Sequence, residues 1–149
     1  MPVMAVSRFE HFFRSAAGID VDKSDLRRYN DFINRKLYDM LVVAEAAAKS
    51  NLRDIIQPWD LPITAGLQEL MYDFRDLDEE LDLAPILEQL TALPPLDLSL
   101  SVDTEARLPA IVGGLSVALA RAFKIIDPKV KNPASEQWER TIRVFDLLL

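Results

Sequence analysis

Along the chain, apolar residues recur at intervals of three and four, the period that lines one face of a helix, and prolines cut the pattern into segments. The first segment, Val6 to Ala17, carries Phe9, Phe12, Phe13 and Ala16 on one stripe, with Gly18 placed to stop it. After Ile19-Asp20-Val21-Asp22, a long helix is expected to run to about Asn51, capped by Ser24 or Asp22. Its stripe is Leu26, Tyr29, Ile33, Leu37, Met40, Leu41, Ala44 and Ala48, while Arg28, Asp31, Arg35, Asp39 and Glu45 fill the rest. Leu52 to Ile56 reads as an extended turn before Gln57-Pro58, because the residue before a proline is pushed out of helical geometry. A short helix with Pro58 in its first turn is expected next. The pattern continues through Leu67, Leu70, Met71 and Phe74, with Pro62 kinking or dividing it.

From Ala84 the same order returns. A short helix to about Leu93 ends at Pro94-Pro95, and Leu96, Leu98, Leu100 and Val102 then alternate with polar residues as a strand would. A second long helix is expected from about Thr104 to Asp127, with Pro109 in its first turns and a stripe of Leu108, Ile111, Val112, Leu115, Leu119, Ala122, Phe123 and Ile126. After Asp127 to Pro133, Ser135 is placed to cap a last helix through Trp138, Ile142 and Phe145. The chain thus reads as short, long, short helix twice over, an internal repeat of roughly 75 to 80 residues visible in element order. One such unit cannot bury both faces of its long helix, whereas two packed crosswise can. Residues of about 1–75 and about 76–149 are therefore expected to form an intramolecular pair within one domain.

The turn after the first long helix, Arg53-Asp54-Ile55-Ile56-Gln57-Pro58-Trp59-Asp60-Leu61, resembles that of the histone fold, in which an Arg pairs with an Asp seven residues on. Arg53 and Asp60 have this spacing; Lys129 and Glu136 repeat it with a cation that offers no bidentate fork. The whole chain resembles a small bacterial family of doubled, single-chain histone-fold proteins of uncharacterised role. That resemblance implies an all-α fold of two histone-fold units packed as a handshake pseudo-dimer, with Arg53–Asp60 and Lys129–Glu136 as structural ion pairs. Where histones place basic residues and a Thr beside phosphates, this turn holds Asp54, Ile55 and Gln57. In a handshake, the first loop of each unit lies beside the second loop of the other. Asp20, Asp22, Lys23, Arg27 and Arg28 should then neighbour Lys129 and Lys131, and Asp97 and Asp103 should neighbour Arg53 and Asp54.

Charge sharpens this polarity. The chain's 149 residues carry a formal net charge of -7, which argues against coating nucleic acid. Nine of the acids, however, fall between residues 76 and 105, where there is no Lys or Arg. Within that stretch, Asp76, Asp78, Glu79, Glu80 and Asp82 form a candidate surface for a basic partner. Asp76, Asp78 and Glu80 alternate as in a calcium loop, but Leu81 and Leu87 stand where such a loop needs Gly and Glu. DNA, if bound, is expected at Lys23, Arg27, Arg28, Lys129 and Lys131, assisted by Arg8 and Arg14. Few phosphates would be neutralised, so binding would be weak, sequence-independent and steeply salt-sensitive.

Conventional chemistry is sparse. Without Cys and with His11 as the single His, the chain has no disulfide, thiolate ligand, cysteine nucleophile or two-histidine metal motif. No phosphate-cradling loop or nucleophile elbow occurs, and Gly113-Gly114 falls inside a helix, where it permits close helix crossing. His11 reads as a helix-edge residue, and Trp59 and Trp138 as core anchors. The longest charge-poor stretch, Leu108 to Ala120, is too short to span a bilayer, and the N-terminal residues lack a signal-peptide pattern. The expectation is a cytoplasmic protein with no cofactor, metal or membrane. It would be non-catalytic and serve as a protein-interaction or self-associating scaffold, with weak DNA binding as the alternative.

Overall fold

The computed structural model describes residues 2–77 and 79–149. Helix α1, Val6–Ala17, stops where Gly18 turns into the left-handed region at φ 65° and its N–H closes on the Arg14 carbonyl. Helix α2, Lys23–Ser50, starts at Asp22, whose carboxylate accepts the Ser24 N–H at 2.9 Å while the Asp25 carboxylate accepts the Asp22 N–H. At 28 residues it is about 42 Å long. Strand β1 is Ile55–Ile56, and a separate 3-10 turn, Pro58–Asp60, follows it. Pro62 does divide the segment, since helix α3, Ala65–Asp76, starts afresh with the Thr64 hydroxyl accepting the Leu67 N–H.

The second half repeats the short, long, short order of helices with helix α4, Leu83–Leu90, helix α5, Val102–Ile126, and helix α6, Ser135–Leu148, but its strand β2, Ser99–Leu100, precedes the long helix instead of following it. The alternating stretch from Leu96 is strand only at Ser99–Leu100, because only there does β1 offer a partner. Helix α5 begins two residues before Thr104, which moves Pro109 two residues further into the helix interior than the expected first turns. The cap of α6 also differs from expectation. Ala134 occupies the cap position and donates its N–H to Gln137 Oε1 at 2.8 Å, leaving the Ser135 hydroxyl to accept from Arg28 at 2.6 Å.

Helix α5 is the centre of the molecule. Leu108, Ile111, Val112, Leu115, Val117, Leu119 and Phe123 are all buried, so it is apolar around most of its circumference. It is long and apolar enough to cross a membrane by length and composition, and more than half of that stretch is buried inside the protein. Helix α3, from the first half, lies along α5. A Cβ on Gly113 would overlap the Phe74 ring, and one on Gly114 would come within 2.8 Å of Met71, so the two glycines let α3 approach. Tyr29 of α2 reaches α5 through its hydroxyl, which donates to Ser116 Oγ at 2.7 Å; that hydroxyl in turn donates to the Val112 carbonyl. Lys36, buried on α2, holds α6 through Asp146 at 2.6 Å.

Two loop pairings close the structure, one at each end of the long helices. At the start of α2, the Asp20 N–H donates to the Lys131 carbonyl at 2.7 Å. At its far end, β1 and β2 pair in parallel, Ile55 opposite Ser99 and Ile56 opposite Leu100. There the Ile56 carbonyl accepts both the Ser101 N–H and the Thr104 hydroxyl, which ties the turn of the first half to the cap of α5. Each first loop therefore meets the other half's second loop.

Candidate functional site

The paired loops at β1 and β2 bring Arg53 to Asp60 and Asp97 to Thr104 together. Arg53 makes the expected fork, with Nη1 and Nη2 each 2.6 Å from an Asp60 oxygen. Asp60 also accepts the Gln57 N–H at 2.8 Å, so the acid is tied on the inner side of the 3-10 turn. Its neighbour Trp59 is consequently turned outward. The residue is 73% exposed rather than part of the core, and the Arg53 guanidinium lies 5.7 Å from the ring centroid.

Three further apolar side chains stand in solvent at this end: Leu52, Ile55 and Val102, 96%, 43% and 83% exposed. Leu52 has φ 58°, the left-handed region that costs a side-chain-bearing residue about 1–2 kcal/mol, and this strained backbone carries an apolar group outward. Around them the charge is negative. Asp54 and Asp103 are exposed and meet no basic group among the described residues, whereas Asp97 is held by Lys49 at 2.7 Å. Sequence reasoning missed this cluster because residue type alone does not distinguish a buried Ile or Trp from an exposed one. The available signal was the reciprocal one: Asp60 must face inward to meet Arg53, so Trp59 beside it faces out.

The opposite end is basic. The side chains of Lys23, Arg27, Lys129 and Lys131 are exposed and meet no carboxylate among the described residues, although the Lys129 backbone N–H donates to the Asp127 carboxylate at 3.1 Å. Other candidate phosphate contacts are already engaged. Arg8 lies 3.7 Å from Glu79, Arg14 pairs with Asp20 at 3.3 Å, and Arg28 lies 3.5 Å from Asp25 while donating to Ser135. The Lys129–Glu136 pair does not form. Glu136 pairs with Arg140 one turn along α6 at 2.9 Å, and the turn itself is closed by Lys124, which donates to the Val130 carbonyl at 2.6 Å.

The acidic connector is likewise not a uniform free surface. Glu79 is half-buried and accepts from His11 Nδ1 at 2.9 Å beside Arg8, which makes His11 a tether from α1. Asp76, Glu80 and Asp82 remain exposed, and Asp78 lies outside the described residues. Among the described residues no group of three or more His, Asp or Glu stands close enough to hold a metal ion.

Several carboxylates are titration-sensitive through these contacts. The Arg53 fork holds Asp60 below the ordinary value of 3.8, Lys49 does the same for Asp97 and Lys36 for Asp146, and the Ser24 hydroxyl and N–H lower Asp22. Burial pushes Asp25 the other way. For the four lowered acids, the unfolded chain takes up protons at a higher pH than the folded one. Their stabilisation is present above the ordinary value and is lost as pH falls through the folded value; Asp25 opposes them. Urea midpoints are therefore expected to fall below about pH 4. The fall should be shallower in Asp60→Asn, after allowing for that variant's lower starting stability; an unchanged slope would detach the Arg53 fork from acid sensitivity.

Residues 9–146 match a family model described as a domain of unknown function, DUF1931. A crystal structure of a protein from Thermus thermophilus is similar at a TM-score of 0.95 and 54% identity, covering 99% of both chains. Protein AQ328 from Aquifex aeolicus is similar at a TM-score of 0.80 and 25% identity, over 96% of this chain and 94% of that one. A relative from Aquifex aeolicus (strain VF5), described as an uncharacterized protein, is 25% identical over 139 residues, 93% of this chain and 81% of its own. The histone from Methanopyrus kandleri is similar at a TM-score of 0.59 and 15% identity, over 91% and 90% of the two chains, a likeness of fold alone.

Proposed function

Because the chain belongs to the DUF1931 family and has an all-α histone fold, with one loop end aromatic and acidic, we propose that it is a non-catalytic protein-interaction module. In this reading it docks a basic segment of a partner protein on the Leu52, Ile55, Trp59 and Val102 end. The observation that carries it is Trp59. A tryptophan 73% exposed, with three apolar neighbours in solvent, leaves an apolar patch of the kind that marks interaction sites. One face of the ring is taken by Arg53, and the other suits an incoming Lys or Arg through cation–π attraction, while Asp54 and Asp103, exposed on the same paired loops, suit carboxylate pairing. The same acids repel phosphates. In this reading the two units, about 1–75 and about 76–149, serve together as one scaffold.

Trp59 supplies its own readout, because Trp138 is fully buried. Titration of the full chain with a nona-arginine peptide at low salt is expected to change Trp59 emission saturably. The change should weaken in Asp54→Asn/Asp103→Asn and vanish in Trp59→Phe. No response, or a response indifferent to the two aspartates, would refute the docking end. A second reading, weak sequence-independent DNA binding, draws on the free Lys23, Arg27, Lys129 and Lys131 at the opposite end. Fluorescence anisotropy of a labelled duplex tests it, with loss expected in Lys129→Glu/Lys131→Glu.

A further inference from the structure

We propose that the cleft between α3, the connector at residues 79–81 and α5 binds a small monoanion of the carboxylate class with an apolar body, such as a medium-chain fatty acid. The cleft has a volume of about 510 Å³, enough for a small ligand. Met71, Phe74 and Leu81, all buried, give it an apolar lining, and Arg75 and Arg107 stand at its exposed rim. Arg75 is oriented by Tyr72, with its guanidinium carbon 5.1 Å from the ring centroid, which occupies the flat face of the fork and leaves its N–H edges for an acceptor.

Both arginines border the most acidic stretch of the chain, yet neither meets a carboxylate among the described residues. The reason is local. Glu79, which also lines the cleft, is held by Arg8 and His11 of α1. Glu80, on the same rim, is exposed and screened by solvent; its like charge favours a single negative charge on the ligand over two. The result is an apolar cleft with two guanidinium groups available at its mouth, the complement of a fatty carboxylate.

Isothermal titration calorimetry of the full chain with sodium decanoate, kept below its micelle concentration, tests the assignment. Saturable binding is expected, weakened at least about tenfold in Arg75→Gln/Arg107→Gln by loss of two charge-assisted contacts. Ala110→Trp, which fills the cleft from α5, should abolish it, and decylamine should not bind. Trp59→Ser should bind decanoate like the parent protein, which separates this site from the docking end. Melting curves confirm that each variant is folded. Absence of saturable heat, equal binding of decylamine, or unchanged affinity in both the double arginine variant and Ala110→Trp would overturn the proposal.

Discussion

Trp138→Ala is expected to remove about 3–5 kcal/mol of unfolding free energy, the cost of deleting a large aromatic from a packed core. Trp138 is fully buried on α6, edge-on to Phe123 of α5 at 4.9 Å. It also lies 6.2 Å from Phe13 of α1, so it joins the last helix of the second half to the first helix of the first half. The matching change at the exposed indole, Trp59→Ala, should cost no more than about 0.5 kcal/mol. Urea denaturation followed by circular dichroism distinguishes the two. Similar losses at both positions would contradict the opposed environments of the two tryptophans.

Gly113→Val is expected to cost about 3 kcal/mol, at the upper end of overpacking, because its Cβ would overlap the Phe74 ring. A flexible side chain would move aside; a buried ring between two helices has nowhere to go. The double variant Gly113→Val/Phe74→Leu should therefore be more stable than the sum of the single changes implies, with a coupling of about 1 kcal/mol or more. Strict additivity would mean that α3 does not cross α5 at this glycine.

The parts of the fold legible from sequence are those fixed by local chemistry. Helix α1 is legible at both ends because its Phe stripe is unbroken and Gly18 has the left-handed conformation that stops it. Arg53 and Asp60 are legible because both halves of the pair lie in one short turn. The Gly113-Gly114 pair inside an apolar helix signals a close crossing, though not that Phe74 and Met71 fill it.

What escapes the sequence depends on the distant half of the chain. Glu79 pairs with α1, so an acidic run in the sequence is partly neutralised in space. Lys129 and Glu136 have the right spacing but the wrong competition: Arg140 is one helical turn from Glu136, and Lys124 closes the turn instead. Ser135 suits a cap because Ser favours that position, yet Arg28 from the other half takes its hydroxyl. Trp59 has the residue type of an anchor because Trp is usually well buried, and only the inward tie of Asp60 reverses that.

Affinity capture on the tagged full chain from a nuclease-treated lysate of the native host sets the two ends against each other. The predicted result is a nuclease-resistant protein retained by the parent chain and by Lys129→Glu/Lys131→Glu, and lost from Trp59→Ser/Ile55→Ser. Capture that disappears with nuclease treatment and with the lysine reversals, while surviving the Trp59→Ser/Ile55→Ser change, would contradict it.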